Sequence, residues 1–259
     1  MNSIKEVKSV YKADMQSARR EYKEKKREIK SEHIRRLDEF YETSGIERPK
    51  DPPKRPVLQE IGNAVTHGVG AVFAIVSLIL MLVLADSPAE TVAACIYSGF
   101  MLVTFSVSCL YHSFKYGSAV KRLFRRFDYS SIYLLIGATF APVLLAYMGD
   151  SFGITFFVIQ WSVIAVGIAL VAVFGPTRLR FIHIPLYVVL GWSALMLMPR
   201  MMDGAASMAM WILAGGVVYS IGIIPYIIKY RASHFIWHFF VLAGALVQWI
   251  GIFTQLYLN

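Results

Sequence analysis

Seven long apolar segments follow one another along the chain after residue 56. Each is free of Asp, Glu, Lys and Arg and has, or nearly has, the ~20 residues that a helix needs to cross a membrane. The segments are 61–85, 91–114, 129–149, 151–177, 181–199, 204–228 and 232–259. A transmembrane barrel would alternate apolar and polar residues, so uninterrupted apolarity favours helices. The pattern predicts an all-α bundle of seven transmembrane helices.

A different pattern precedes the first apolar segment. Across residues 11–41 the apolar positions recur at spacings of three, four or their sums, which is typical of an amphipathic helix. These positions are Met15, Ala18, Tyr22, Ile29, Leu37 and Phe40. Ser44-Gly45 and four prolines between residues 49 and 56 then predict a helix end and a stiff linker. We interpret this region as a solvated helical arm, or alternatively as a surface helix that contacts anionic lipid or a partner protein.

The distribution of charge supports a division into two domains. Of the 26 Lys and Arg residues 16 precede Val57, as do 11 of the 17 Asp and Glu residues. The whole chain is 56% hydrophobic, a share that is unusual for a soluble domain. We therefore expect a charged arm and linker over residues 1–56, followed by a domain over residues 57–259 that spans the plasma (inner) membrane. Its expected partners are membrane lipids, and not nucleic acid.

Basic residues in the connections between segments indicate the orientation. The connections after the second, fourth and sixth segments contain nine Lys and Arg residues, whereas those after the first, third and fifth contain only Arg200. Cytoplasmic loops are enriched in Lys and Arg. The pattern predicts a cytoplasmic N-terminus and an extracytoplasmic C-terminus.

Histidines gather at the predicted cytoplasmic end of the bundle. His112 ends the second segment, whereas His234 and His238 begin the seventh and share one helical face because they are four residues apart. A single histidine at a membrane interface is usually an interfacial polar group. Three at one depth, with Asp128 and Ser108 at the same level, instead favour a metal site, because three imidazoles are a known ligand set for zinc.

Asp128 and Ser108 have two interpretations each. Ser108 is one turn from His112, so its hydroxyl either bonds a ligand or water at the site or bonds back to its own helix. Asp128 either orients a histidine or a water molecule, or it pairs with Arg125 or Arg126 or caps the third helix.

Another polar group precedes the first apolar segment. Glu60, Asn63 and His67 are spaced along one helical face. They predict a second polar wall of the same cavity, and the alternative is that they are capping groups at the interfacial start of a helix.

These residues resemble the hemolysin III branch of the progestin and adipoQ receptor (PAQR) family. The likeness rests on E-I-G-N-A-V-T-H at Glu60–His67, S-C-L-Y-H at Ser108–His112, Asp128, and H-F-I-W-H at His234–His238. It covers about residues 57–259, and the charged arm is not part of the family pattern.

The resemblance implies zinc near the cytoplasmic face, held by His112, His234 and His238, with Ser108 and Asp128 beside the metal-bound water. Relatives are linked to hydrolysis of lipid amides, and bacterial members are named for cytolytic activity. Three functions follow as hypotheses: a zinc-dependent hydrolase of a lipid amide or ester, a receptor or sensor that zinc only stabilises, and a membrane-permeabilising hemolysin. The outer halves of the apolar segments lack ionisable residues, which counts against an ion pathway in the third.

Overall fold

The structure of the protein is a computed structural model that describes residues 2–44, 53–228, 230 and 232–258. Most of these residues are helical and none of them forms a strand, so the all-α prediction is confirmed. The chain divides into two compact units, Met1–Arg48 and Pro49–Asn259. Most of the predicted linker, with Lys229 and Arg231 of the predicted basic loops, lies outside the described residues.

The arm forms one long helix, α1, over Asn2–Ser44. It begins nine residues earlier than the periodicity predicted, because the preceding residues contain no Gly or Pro and continue the apolar spacing with Ile4 and Val7. On the polar side, the guanidinium groups of Arg35 and Arg36 each lie 2.9 Å from the Glu32 carboxylate. Such solvent-exposed pairs stabilise a helix only slightly.

The described residues of the second unit contain seven helical spans long and apolar enough to cross a membrane, as predicted. The helices are α2 (Val57–Val83), α3 (Pro88–Ser113), α4 (Ala119–Ala141), α5 (Ser151–Arg178), α6 (Arg180–Trp192), α7 (Met198–Met202), α8 (Ala206–Ile228) and α9 (Ser233–Leu256). A wider π-type stretch over Pro142–Met148 extends α4, and a 3-10 stretch over Ser193–Leu197 joins α6 to α7 within one span.

The start of α4 differs from the sequence prediction. The apolar run begins at residue 129, but the helix begins at Ala119, where the Ser118 hydroxyl accepts a hydrogen bond from the Lys121 amide at 3.1 Å. Apolar composition marks the part of a helix that contacts lipid, whereas its capping residue marks where it starts. Asp128 therefore lies inside α4, and the interpretation of Asp128 as a cap of the third span is wrong.

At the end of the bundle away from the start of α4, the helices α3 and α5 also begin at capping residues. Asp150 precedes α5 and accepts a hydrogen bond from the Gly153 amide at 2.8 Å, and Arg200 donates to the same carboxylate at 2.6 Å. These two hydrogen bonds hold the pKa of the Asp150 carboxyl below its usual range. The Ser87 hydroxyl caps α3 in the same way, by accepting from the Glu90 amide.

Close packing of α2 on α3 positions the polar residues of both helices. Gly70 of α2 lies so near the ring of Phe105 that a Cβ atom at position 70 would be 2.7 Å from it. Phe105 in turn packs edge-on against the His67 ring, with 5.1 Å between centroids. Because helices in lipid associate through close packing and interhelical hydrogen bonds, such small residues set the distance between α2 and α3.

The predicted orientation can be tested by labelling single cysteines. Tyr116, between α3 and α4, and Asp203, after α7, are both exposed. In a protein whose Cys95 and Cys109 are replaced by Ser, a cysteine at position 116 should react with a membrane-impermeant maleimide only from the cytoplasm, and one at position 203 only from outside. The reverse labelling would contradict the charge-based topology.

Candidate metal centre

Three histidines converge where the end of α3 meets the beginning of α9. The Nε2 atom of His234 lies 3.4 Å from that of His112 and 3.2 Å from that of His238. One ring nitrogen from each of the three residues falls within 4.8 Å of the other two. His112 and His238 are buried, and His234 is half-buried. The three predicted ligand candidates therefore occupy one place in the structure.

This convergence fits a bound cation. A neutral imidazole carries one N–H and one lone pair. When Nε2 atoms of several buried imidazoles face one another, their lone pairs repel unless a proton or a metal ion lies between them. Three imidazoles also make a donor set that suits zinc and other transition metals and leaves a further coordination position open. The residues present can thus hold a metal ion, and the geometry alone does not select which one.

Glu60 of α2 fixes the orientation of the His112 ring. The Nδ1–H group of His112 donates to one carboxylate oxygen of Glu60, and Lys121 Nζ lies 3.1 Å from the other. An imidazole whose Nδ1 donates to a carboxylate presents the lone pair of Nε2 on its other edge. The Glu60 contact therefore directs the Nε2 of His112 towards the two histidines of α9.

Lys121 ties this arrangement to the end of α3. Its ammonium group is 1% exposed and donates to the carbonyl oxygens of Tyr111 and Phe114, each at 3.1 Å. Buried lysines are rare and need partners, which Lys121 finds in two helix-terminal carbonyls and the Glu60 carboxylate. The ion pair therefore connects α2, α3 and the first turn of α4 beside the histidines.

The residues predicted as a second polar wall lie against the histidines themselves. The amide nitrogen of Asn63, which is fully buried, lies 3.3 Å from Nδ1 of His112. His67 stacks on His238 with 3.8 Å between ring centroids and an interplanar angle of 27°. Among the described residues, neither ring nitrogen of His67 has a hydrogen-bond partner. Glu60, Asn63 and His67 thus surround the candidate ligands.

Asp128 and Ser108 lie on the cavity side of the histidines. Ser108 and Asp128 line one cavity together with His234 and His238. The Ser108 hydroxyl is buried, whereas Asp128 is half-buried. A carboxylate and a hydroxyl are therefore available next to the site but outside the group of three histidines.

Comparison with known proteins identifies the family. The model of the haemolysin-III related family matches residues 56–249. The chain belongs to this family. It is 32% identical to "Hemolysin-3" of Bacillus cereus over 201 residues, which cover 76% of this chain and 91% of that protein. It is 33% identical to the "Hemolysin-3 homolog" of Bacillus subtilis (strain 168) over 196 residues, or 73% of this chain and 90% of the relative.

The haemolysin-III match confirms the resemblance drawn from the motifs. Together with the seven apolar helices it makes the chain a multi-pass integral protein of the bacterial plasma (inner) membrane. The matched region contains every residue of the candidate site, from Glu60 to His238, whereas α1 lies outside it.

The cavity beside the histidines continues deep into the bundle. It has a volume of about 160 Å³ and extends to Trp192 of α6 and Gln248 of α9. Fourteen helical residues separate His234 from Gln248, which corresponds to about 21 Å along the helix axis. Most of the wall between these ends is apolar, as at Leu135 and Val241. The cavity is thus long, narrow and largely apolar, with Asp128, His234 and His238 in the wall of one end.

For two residues, hydropathy indicates the depth in the membrane but not the neighbours. Lys121 was counted only as a positive loop charge, although it is a buried partner of Glu60. His183, which shares the depth of the other histidines, lies apart from them and makes a 2.9 Å hydrogen bond to the hydroxyl of Tyr133. Both depend on which helices are neighbours, and hydropathy carries no signal for that.

Glu60 offers a test of the metal centre that leaves its ligands intact. The Glu60→Gln variant keeps the side-chain volume but removes the charge that orients His112 and pairs with Lys121. We expect zinc affinity to fall by about 10- to 100-fold, the usual range for a group that orients a ligand, as measured by competition with a chromogenic chelator. Unchanged affinity would contradict an orienting role for Glu60.

Proposed function

We propose that the protein is a zinc-dependent hydrolase that cleaves a lipid amide or ester near the cytoplasmic leaflet, with His112, His234 and His238 as the metal ligands. The observation that carries this proposal is the position of the three-histidine cluster, of which His234 and His238 line one end of a long apolar cavity together with Asp128 and Ser108. Intramembrane ionisable residues are costly and usually have a function.

A bound zinc ion would polarise the substrate carbonyl and lower the pKa of a coordinated water to about 7. In this proposal Asp128 accepts a proton from the attacking water and delivers it to the leaving amine or alcohol. Ser108 keeps the Asp128 carboxylate turned towards the histidines. Glu60 and Lys121 hold the His112 ring in place.

The cavity supports a lipid as the substrate. A single acyl chain is long, narrow and apolar, and so is the space between the histidines and Gln248. A chain that entered it fully would bring its carbonyl carbon to the polar end, where Asp128 lies. The predicted topology puts this end at the headgroup boundary of the inner leaflet, so the amide or ester bond of a membrane lipid would reach the site without leaving the bilayer.

A second candidate is a receptor or sensor in which the metal only fastens helices together. This candidate is favoured because the three histidines come from only two helices, α3 and α9, which lie far apart in sequence. A metal bound by them would hold these two helices together. A closed four-ligand site is typical of structural zinc, and an open position is typical of catalysis. The third candidate, membrane permeabilisation, rests on the names of the Bacillus relatives, and the apolar wall of the cavity argues against a water-filled path.

Three measurements on one purified sample separate these functions. We expect the zinc-loaded protein to hydrolyse a fluorescent N-acyl lipid, to lose that activity with a chelator and to regain it when zinc is restored. A sample with stoichiometric zinc and no hydrolysis across a panel of N-acyl and O-acyl lipids would favour the receptor. Leakage of dye from protein-containing liposomes, above that of empty ones and independent of zinc, would favour permeabilisation.

A further inference from the structure

Helix α1 carries an apolar stripe on an otherwise polar surface. Its members are Ile4, Tyr11, Met15, Ala18, Tyr22 and Ile29. At about 100° per residue these six side chains fall within roughly 60° of one another around the helix. All are exposed, and the large ones remain 42% to 67% accessible. A contiguous exposed apolar stripe over residues 4–29 of this helix, about 38 Å long, is typical of a surface that another molecule covers.

The spacing of the stripe follows a seven-residue repeat. In the letters used for coiled coils, Met15, Tyr22 and Ile29 occupy successive a positions, and Tyr11 and Ala18 occupy d positions. Two lysines interrupt the apolar seam, Lys8 at the a position before Met15 and Lys25 at the d position after Ala18. A polar residue in such a seam lowers stability but restricts the register of pairing. The repeat therefore indicates a weak but specific helix–helix contact.

Charge differs between the two borders of the stripe. The e positions on one border are the basic residues Lys12, Arg19 and Lys26. The g positions on the other border are the acidic residues Asp14, Glu21 and Glu28. All six side chains are exposed. The stripe thus has a positive border and a negative border over three consecutive heptads.

This asymmetry selects among the surfaces that the stripe could contact. In a parallel pair of identical helices, each g residue faces the e residue five positions later in the other helix. The facing pairs are Asp14 with Arg19 of the second copy, Glu21 with Lys26, and Glu28 with His33. An antiparallel pair would place like charges together on both borders. An anionic lipid surface would repel the acidic border, whereas surface helices that bind such lipids are basic on their polar face.

We propose that the α1 helices of two copies pair as a parallel, in-register coiled coil centred on residues 4–29, which makes the membrane protein a dimer. Two copies inserted in one membrane in the same orientation carry their arms on the same face, so a parallel arrangement is the natural one. Exposed ion pairs contribute little affinity, and the borders mainly set orientation and register. Two-fold symmetry then brings each seam residue opposite itself in the other copy.

Two alanines of α1 provide a matched test of this contact. Ala18 lies in the seam at a d position, and Ala13 lies on the outer face at an f position, and both are exposed in the single chain. In full-length protein in membranes, with Cys95 and Cys109 replaced by Ser, we expect Ala18→Cys to form a disulfide-linked dimer under mild oxidation with several-fold higher yield than Ala13→Cys. Equal yields from both positions, or no dimer from Ala18→Cys, would overturn the proposal.

Charge reversal in the Ala18→Cys background tests the orientation. Glu21→Lys alone and Lys26→Glu alone each place like charges across the seam, so either should lower the yield of linked dimer. The combined variant restores opposite charges and should restore the yield. Failure of the combined variant to recover would contradict parallel pairing. Protection of the thiol at position 18 from an aqueous maleimide by anionic vesicles, without any linked dimer, would assign the stripe to lipid instead and also overturn the proposal.

Discussion

The His238→Ala variant is expected to lose its zinc. His238 is one of only three imidazoles in the proposed site, and its Nε2 atom lies 3.2 Å from that of His234. Removing a direct ligand should weaken binding well beyond the ~10- to 100-fold that follows from removing a group that only orients one. Zinc content after gel filtration in a weak chelator should fall to near zero, as it should for His112→Ala and His234→Ala.

His183→Ala is the matched control for this loss. His183 is also a buried histidine that lines the same cavity, but it bonds to Tyr133 and stands outside the group of three. The control variant should therefore keep its zinc even if its thermal stability falls. A His238→Ala protein with full zinc content and unchanged affinity would rule out the proposed centre, whereas zinc loss in both variants would show that binding merely follows folding.

Membrane depth is the part of the site that the sequence predicts. His112, His234 and Asp128 each lie near the boundary between an apolar run and basic residues, so their height along the bundle can be deduced without knowing which helices touch. The seven spans follow from the same apolar runs, because length and composition decide whether a helix can cross the membrane. Both parts of the prediction rest on interactions with solvent and lipid, which act on each helix separately.

Lateral arrangement is the part that the sequence does not reveal. The contact of Glu60 with His112, and that of Lys121 with Glu60, require α2 and the start of α4 to lie beside α3. Hydropathy assigns a depth to each residue but no neighbour, so from the sequence Glu60 is predicted on a wall of the cavity and Lys121 in a loop. The apolar pattern also does not predict the start of α4, because the first turns of this helix carry charged residues. The capping residue Ser118 indicates the start of the helix better than apolar composition does.

The Asp128→Asn variant should separate binding from catalysis. The substitution keeps the shape of the side chain inside α4 but removes its ability to accept a proton. If Asp128 acts as the proposed general base, turnover of the N-acyl lipid should fall by about 10²–10⁴-fold. The metal should remain, because Asp128 lies outside the group of three histidines, and a loss of zinc affinity of about 10- to 100-fold is overcome at saturating zinc.

Ser108→Ala completes the comparison, since it removes the hydroxyl beside Asp128 and leaves the carboxylate in place. We expect a smaller loss of turnover than in Asp128→Asn, with the pH dependence of turnover retained, because the proton acceptor is still present. Zinc stoichiometry and hydrolysis must be measured on the same preparations. Normal turnover in metallated Asp128→Asn would exclude the general-base role. Failure of that variant to bind zinc even at saturation would make Asp128 a fourth ligand, and a site closed in this way would favour the receptor over the hydrolase.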